Sequence, residues 1–179
     1  MQNIKEKYYF IDESNREICA GGVILYKKID SDIHLLLINS RGGYEDFGGG
    51  IDANDNDIYE TVAREAEEES NGLLKKADIM KRLVKTHYMY NARSKYVVFF
   101  IKATDNEKTM TSEMFGSTEL HDDIPRTVEW LSAKEFFNLI AKKQLNFRIV
   151  NKEIFAEINR IREENGYSNA KKIKREYMF

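Results

Sequence analysis

Three consecutive glycines, Gly48-Gly49-Gly50, stand ahead of a helical segment whose acidic residues fall partly on its apolar side. No other feature of the chain constrains the fold as strongly. Each helical residue turns by about 100°. With Glu65 set at zero, Glu69 lies at about 40° and Glu68 at about 300°, on one side of the helix. Ile58, Val62 and Ala66 fall at about 20°, 60° and 100°, so the stripe meant for the core overlaps Glu65 and Glu69. Glu60 and Glu67 fall on the far side and suit a solvated face. A carboxylate turned inward costs desolvation energy unless it is paired or holds a cation. Residues 52–69 carry eight acids and one base, Arg64, for a net charge of −7, which leaves +5 for the rest of the chain. Three carboxylates at i, i+3 and i+4 offer the oxygen ligands that Mg²⁺ or Mn²⁺ prefers. A glycine loop before the helix lets backbone groups reach the same point. Oxygen ligands around a divalent metal are the usual equipment of polyphosphate chemistry.

The remainder of the 179 residues frames this segment in one mixed α/β domain. With 42% hydrophobic and 32% charged residues the chain reads as soluble and globular. No apolar run approaches a membrane span, and the first residues lack a signal-peptide core. A lone cysteine, Cys19, and the absence of a Cys/His cluster fit a reducing, cytoplasmic home without structural zinc. Tyr8-Tyr9-Phe10-Ile11 reads as a short strand. Ile18–Lys27 and Asp32–Asn39 read as strands, the second buried on both faces. Ser40–Asp57 is a Gly/Asp-rich loop and Ile58–Ser70 a helix. Val84–Tyr90 and Tyr96–Ala103 form two strands joined at Asn91–Ser94. Thr104–Arg126 is a long polar loop, and Thr127–Leu131 a last strand. Ser132 caps a helix over Ala133–Lys143, with Glu135 completing a capping box. Asn151–Glu164 is a second amphipathic helix. Phe136, Phe137, Leu139, Ile140, Phe147, Ile149, Ile154, Phe155, Ile158 and Ile161 are expected to pack these late elements onto the sheet. The domain is expected to span residues 1–165, with a basic tail over 166–179.

The run Gly50, five residues, Asn56, seven residues, then Arg64-Glu65-Ala66-Glu67-Glu68-Glu69-Ser70-Asn71-Gly72 resembles the signature of the Nudix hydrolases. Ala20-Gly21-Gly22-Val23-Ile24-Leu25 and Val128-Glu129-Trp130-Leu131 extend the likeness over about Ile18–Lys143. The resemblance implies an α/β/α sandwich with a mixed sheet between helices. It also implies metal-dependent hydrolysis of a nucleoside diphosphate linked to another group, such as ADP-ribose or a dinucleoside polyphosphate. By position, Glu65, Glu68 and Glu69 would be ligands of Mg²⁺ or Mn²⁺, Gly48 would offer its carbonyl, and Arg64 would orient the glutamates. The attacking water's proton would go to one of these carboxylates or to one in the Thr104–Arg126 loop, with Glu119 preferred and Glu113 second. Three positions depart from the pattern. Asn56 stands where the signature has a loop glutamate and cannot pair with Arg64, a role open to Asp55 or Asp57. Asn71 replaces the final glycine, where asparagine tolerates the left-handed conformation. Asp46-Phe47-Gly48 lacks the usual proline.

Arg41 and Tyr44, at the mouth of the glycine loop, are candidates to grip phosphate and stack on a base. Tyr88 follows Gly72 by 16 residues, where a tyrosine marks dinucleoside-polyphosphate hydrolases of the family, although strand packing explains it as well. Arg93 and Lys95, in the expected hairpin loop, are candidates of the same kind as Arg41, and His87 and His121 are candidate acid/base groups, although the metal mechanism needs no histidine. The basic tail is the only pointer to RNA, including a capped 5′ end. The resemblance also admits a homodimer, and the Asn56 substitution leaves open a nucleotide-binding module without turnover.

Overall fold

A computed structural model describes residues 7–119 and 123–167. His121 and the Lys171–Arg175 cluster lie outside the described residues. The chain opens with a two-stranded ribbon, β1 (Phe10–Ile11) and β2 (Glu17–Ile18). The main sheet comprises β3 (Ala20–Ile29), β4 (Asp32–Ser40), β5 (Gly43–Glu45), β6 (Phe47–Gly50), β7 (Tyr88–Asn91), β8 (Tyr96–Lys102) and β9 (Thr127–Ser132). Strands β3 and β8 run parallel, and the other pairings are antiparallel. Strand β3 is shared along its length: residues 20–23 pair with β6 and residues 25–29 with β4.

Helices cover both faces, as the sandwich architecture requires. On one face α1 (Ile58–Glu69) and α2 (Lys76–Leu83) bury Val62, Ala66, Ile79 and Leu83 against Val23, Leu36, Val97 and Phe99. On the other, α5 (Ala133–Ala141) and α6 (Lys152–Glu164) bury Phe136, Ile154 and Ile158 against Ile24, Leu35 and Val98. Alternate residues of β3, β4 and β8 thus feed opposite cores, which is why those strands read as unbroken apolar runs. The Ser132/Glu135 capping box forms as its spacing predicts.

Several expectations are corrected. The Ser40–Asp57 segment is not wholly loop, because Gly43 lies in β5 and Gly48–Gly50 in β6. Residues 76–83 form α2, and β7 begins only at Tyr88. The Thr104–Arg126 segment folds two single-turn helices, α3 (Asp105–Lys108) and α4 (Ser112–Phe115). Phe147 is 57% exposed and lies under the Arg93 guanidinium instead of in the core.

Glycine permits the close approach of β6 to β3. A Cβ on Gly22 would lie 2.1 Å from Asp46 Oδ2, 2.4 Å from the Tyr96 hydroxyl and 2.7 Å from the Phe47 carbonyl. Backbone is among those neighbours, so side-chain rotation alone cannot make room. Gly22→Ala is expected to cost about 2–3 kcal/mol of stability, read as a lower denaturant midpoint. An unchanged midpoint would contradict the packing described.

Candidate active site

Helix α1 starts at Asp57, whose carboxylate accepts the Glu60 N–H (2.8 Å). It ends in a Schellman arrangement: the Gly72 N–H donates to the Glu67 carbonyl (2.8 Å), and Asn71 is left-handed at φ 54°. The Asn71 amide also donates to the Phe115 and Thr118 carbonyls (2.7 and 2.9 Å), tying the end of α1 to the segment that carries Glu119.

The inner side of α1 faces β6. Glu65 lies directly over Gly49, where an added Cβ would sit 2.6 Å from its carboxylate. The Gly48 N–H donates to Glu69 Oε2 at 2.6 Å. Gly48 therefore engages the helix through its amide. Burial pushes the Glu65 carboxyl above its ordinary range, against the pull of Arg64, and pushes Glu69 well above it. Glu68 differs: its side chain is exposed and lies 3.3 Å from Arg64 Nη1. Among the described residues no three Asp, Glu, His or Cys side chains are gathered into a ready-made ion cage. The structure brings Glu65 and Glu69 to the glycine strand and leaves Glu68 at the rim. This donor set still fits a hard divalent cation. It offers only oxygens, two inward carboxylates without a full set of cationic partners, and a gap at Gly49 that a Cβ would fill.

Arg64 holds the approach to the site. Its Nε and Nη2 form a fork on the nearly buried Asp55 carboxylate (3.1 and 2.9 Å). Nη2 also donates to the Gly50 carbonyl (3.0 Å), and Nη1 to Glu65 (2.9 Å). Asp55 thus supplies the loop-to-helix tie that Asn56 cannot. Burial alone would raise the Asp55 pKa, but hydrogen bonds from Arg64, the Asp52 N–H and the Thr61 hydroxyl hold it below the ordinary carboxylate value. Asn56 instead hydrogen-bonds Glu60, which Lys76 and Asn56 pull down to about 2.

Beneath the site is a charged network that sequence reasoning missed. Asp46 is fully buried and accepts from the Tyr96 hydroxyl (2.9 Å) and Arg148 Nε (2.8 Å). Arg148 Nη2 donates to the Asp46 carbonyl (2.9 Å), and the guanidinium lies 5.1 Å from the Tyr96 ring centre. Arg148 also exerts an attraction on Glu65 and Glu69. The one available signal was the run Asp46-Phe47-Gly48, which lacks the usual proline before the glycines.

The other candidates are dispersed. Arg41 is exposed in the β4–β5 turn, near Ile124 and Pro125. Tyr44 packs against the second core and donates to Glu129 (2.8 Å), its pKa pushed up to about 12 by burial and that carboxylate. Tyr88 packs edge-on against Phe99 and donates to Asp12 (3.0 Å) in the turn between β1 and β2. Lys95 pairs with Glu17 and His87 with Glu157. Glu119 pairs with the buried Arg126 (3.2 Å), and Glu113 lines a small cleft beside it.

The NUDIX domain model matches residues 20–157, so the chain belongs to the NUDIX domain family. It is a Nudix-type hydrolase acting on phosphorus-containing acid anhydrides. Enzymes of this family generally use divalent metal ions. Similar solved structures include an Ap4A hydrolase from C. elegans in a binary complex, with 14% identity, 82% of this chain and 96% of that one covered, and a TM-score of 0.48. The NUDIX domain of Shewanella oneidensis NrtR, in complex with ADP ribose, has 16% identity, 82% and 87% coverage, and a TM-score of 0.45. No curated protein matches the chain. Among the described residues no helix is long and apolar enough to cross a membrane.

The Asp55–Arg64 fork gives a pH-dependent expectation. A depressed folded-state pKa contributes stability above the unfolded value, near pH 4, and loses it as pH falls through the folded value. Asp55→Asn should cost about 2–4 kcal/mol at pH 7, and its gap from the parent should shrink below about pH 4. Equal stability at pH 7 in denaturant melts would contradict the fork.

Proposed function

We propose that the chain is a Mg²⁺- or Mn²⁺-dependent pyrophosphohydrolase. Its substrate is a nucleoside diphosphate joined to a second group, of the ADP-ribose or dinucleoside-polyphosphate kind. The observation that carries this reading is the pair Glu65 and Glu69, turned onto a glycine strand at raised pKa without enough cations around them. Glu65 and Glu69 would hold the metal together with Glu68, which would have to turn inward from its contact with Arg64 Nη1. The bound cation would offset phosphate charge and acidify the attacking water.

The chain's own residues do the rest. Arg64 fixes Glu65 and the Gly50 carbonyl in one frame, and the Gly48 amide aims Glu69. Water attacks one phosphorus of the diphosphate bridge, and the bond from that phosphorus to the bridging oxygen breaks. A helix carboxylate accepts the water's proton, since Glu119 is already paired with Arg126. The reading as a module without turnover rested on Asn56 and loses its support, because Asp55 makes the missing tie. The RNA reading rested on the tail, of which residues 168–179 lie outside the described residues.

Glu69→Gln is the sharpest variant. The amide can still accept from Gly48, and the neutral group avoids the cost of burying charge. Turnover of a diphosphate-linked nucleotide panel with Mg²⁺ or Mn²⁺ should fall by about 100-fold or more, while the melting temperature holds or rises. Undiminished turnover in a folded Glu69→Gln protein would sink the proposal.

A further inference from the structure

Arg126 buries a guanidinium that has one side-chain partner among the described residues, Glu119. Its side chain is 1% exposed, and Nη1 meets Glu119 at 3.2 Å. Nε and Nη2 are both buried and, among the described residues, have no hydrogen-bond partner. These two atoms form the side-on edge that grips two oxygens of a phosphate or carboxylate at once. The backbone holds that edge firmly. The Arg126 N–H donates to the Ser117 carbonyl (2.8 Å), and Thr127 begins β9, which is hydrogen-bonded along β4. Burial lowers the pKa of Arg126, and the charges of Glu119, Glu69 and Glu45 counter this. Arginine stays charged at neutral pH even so. The residue lines a cleft of about 400 Å³ with Ser112, Glu113, Gly116, Ser117 and Thr127. A buried cation left short of acceptors is disfavoured in a fold unless something else completes it.

We propose that the Nε/Nη2 edge of Arg126 binds a phosphate group of the nucleotide substrate, with Glu119 as the positioning residue that holds the guanidinium in place. The inference rests on the hydrolase reading for the identity of the substrate, but not for the presence of an anion site. The cleft gives a phosphate its approach. Glu119 then serves through Arg126 and does not touch the reacting atoms.

The test uses the full chain and inorganic pyrophosphate in EDTA, followed by calorimetry and thermal melting. The parent should bind pyrophosphate, and Arg126→Met should weaken binding by about 10- to 100-fold, the worth of a charge-assisted bidentate contact. Arg126→Lys keeps the charge without the fork and should fall between the two. A merely structural arginine would lower the melting temperature of the ligand-free protein when removed and leave pyrophosphate binding alone. Here Arg126→Met should melt no lower than the parent and lose the pyrophosphate-induced shift. With Mg²⁺ and a nucleotide substrate, KM should rise more than kcat falls. Parent-like pyrophosphate affinity in Arg126→Lys and Arg126→Met, or no binding by the parent, overturns the inference. If Arg126→Met does not fold, Arg126→Lys decides alone. A parent that binds pyrophosphate through Arg126 but hydrolyses no diphosphate overturns the hydrolase reading instead.

Discussion

Helix α1 lies so near strand β6 that only glycine fits between them. Gly49 lies under the Glu65 carboxylate, and a Cβ on Gly48 would fall 2.3 Å from the Tyr96 hydroxyl and 2.4 Å from the Gly21 carbonyl. Gly21 and Gly22 make the matching allowance on β3, where they pair with Gly49 and Gly48. The four glycines let two strands and a helix come close, so that Glu65 lies over Gly49 and Glu69 reaches the Gly48 amide. Without that contact Glu65 and Glu69 would have no reason to turn inward.

Inward carboxylates need a supporting field, and the chain supplies cations on two sides. Arg64 stands on the loop side, its fork closed on Asp55. Arg148 stands on the sheet side, held by the buried Asp46 and the Tyr96 hydroxyl. Burial alone would lower the Arg148 pKa, but Asp46, Tyr96, Glu45 and Glu69 raise it. Two guanidiniums shared among Asp55, Asp46, Glu65 and Glu69 still leave negative charge at the glycine strand. That residue of charge is what a divalent cation can neutralise, and it gives the raised pKa values of the two glutamates a purpose in binding.

Much of this was legible from local pattern. The helix and its inward acids follow from a 3.6-residue period, and the strands from runs of branched residues. The left-handed Asn71 and the Ser132 cap follow from turn and capping chemistry. What was not legible depends on distance in sequence or on a shift of one residue. Asp55, one position before Asn56, takes the place of the loop glutamate at Arg64, and spacing alone could not separate it from Asp57. Asp46 and Arg148 lie 102 positions apart, so nothing local links them. Strands β5 and β6 were hidden because glycine erases the alternation that marks a strand. Tyr44 and Tyr88 drew notice as aromatic residues near the expected site, yet the fold puts their hydroxyls on Glu129 and Asp12.

The claim at the centre is that a divalent cation belongs between the glycine strand and the inner face of α1. Paramagnetic broadening of backbone amide resonances on titration with Mn²⁺ locates such an ion directly. The account predicts that the amides of Gly48, Gly49 and Gly50 and of residues 65–69 broaden first. Broadening centred on the acidic turn Asp52–Asp57, with the glycine strand unaffected, would contradict it.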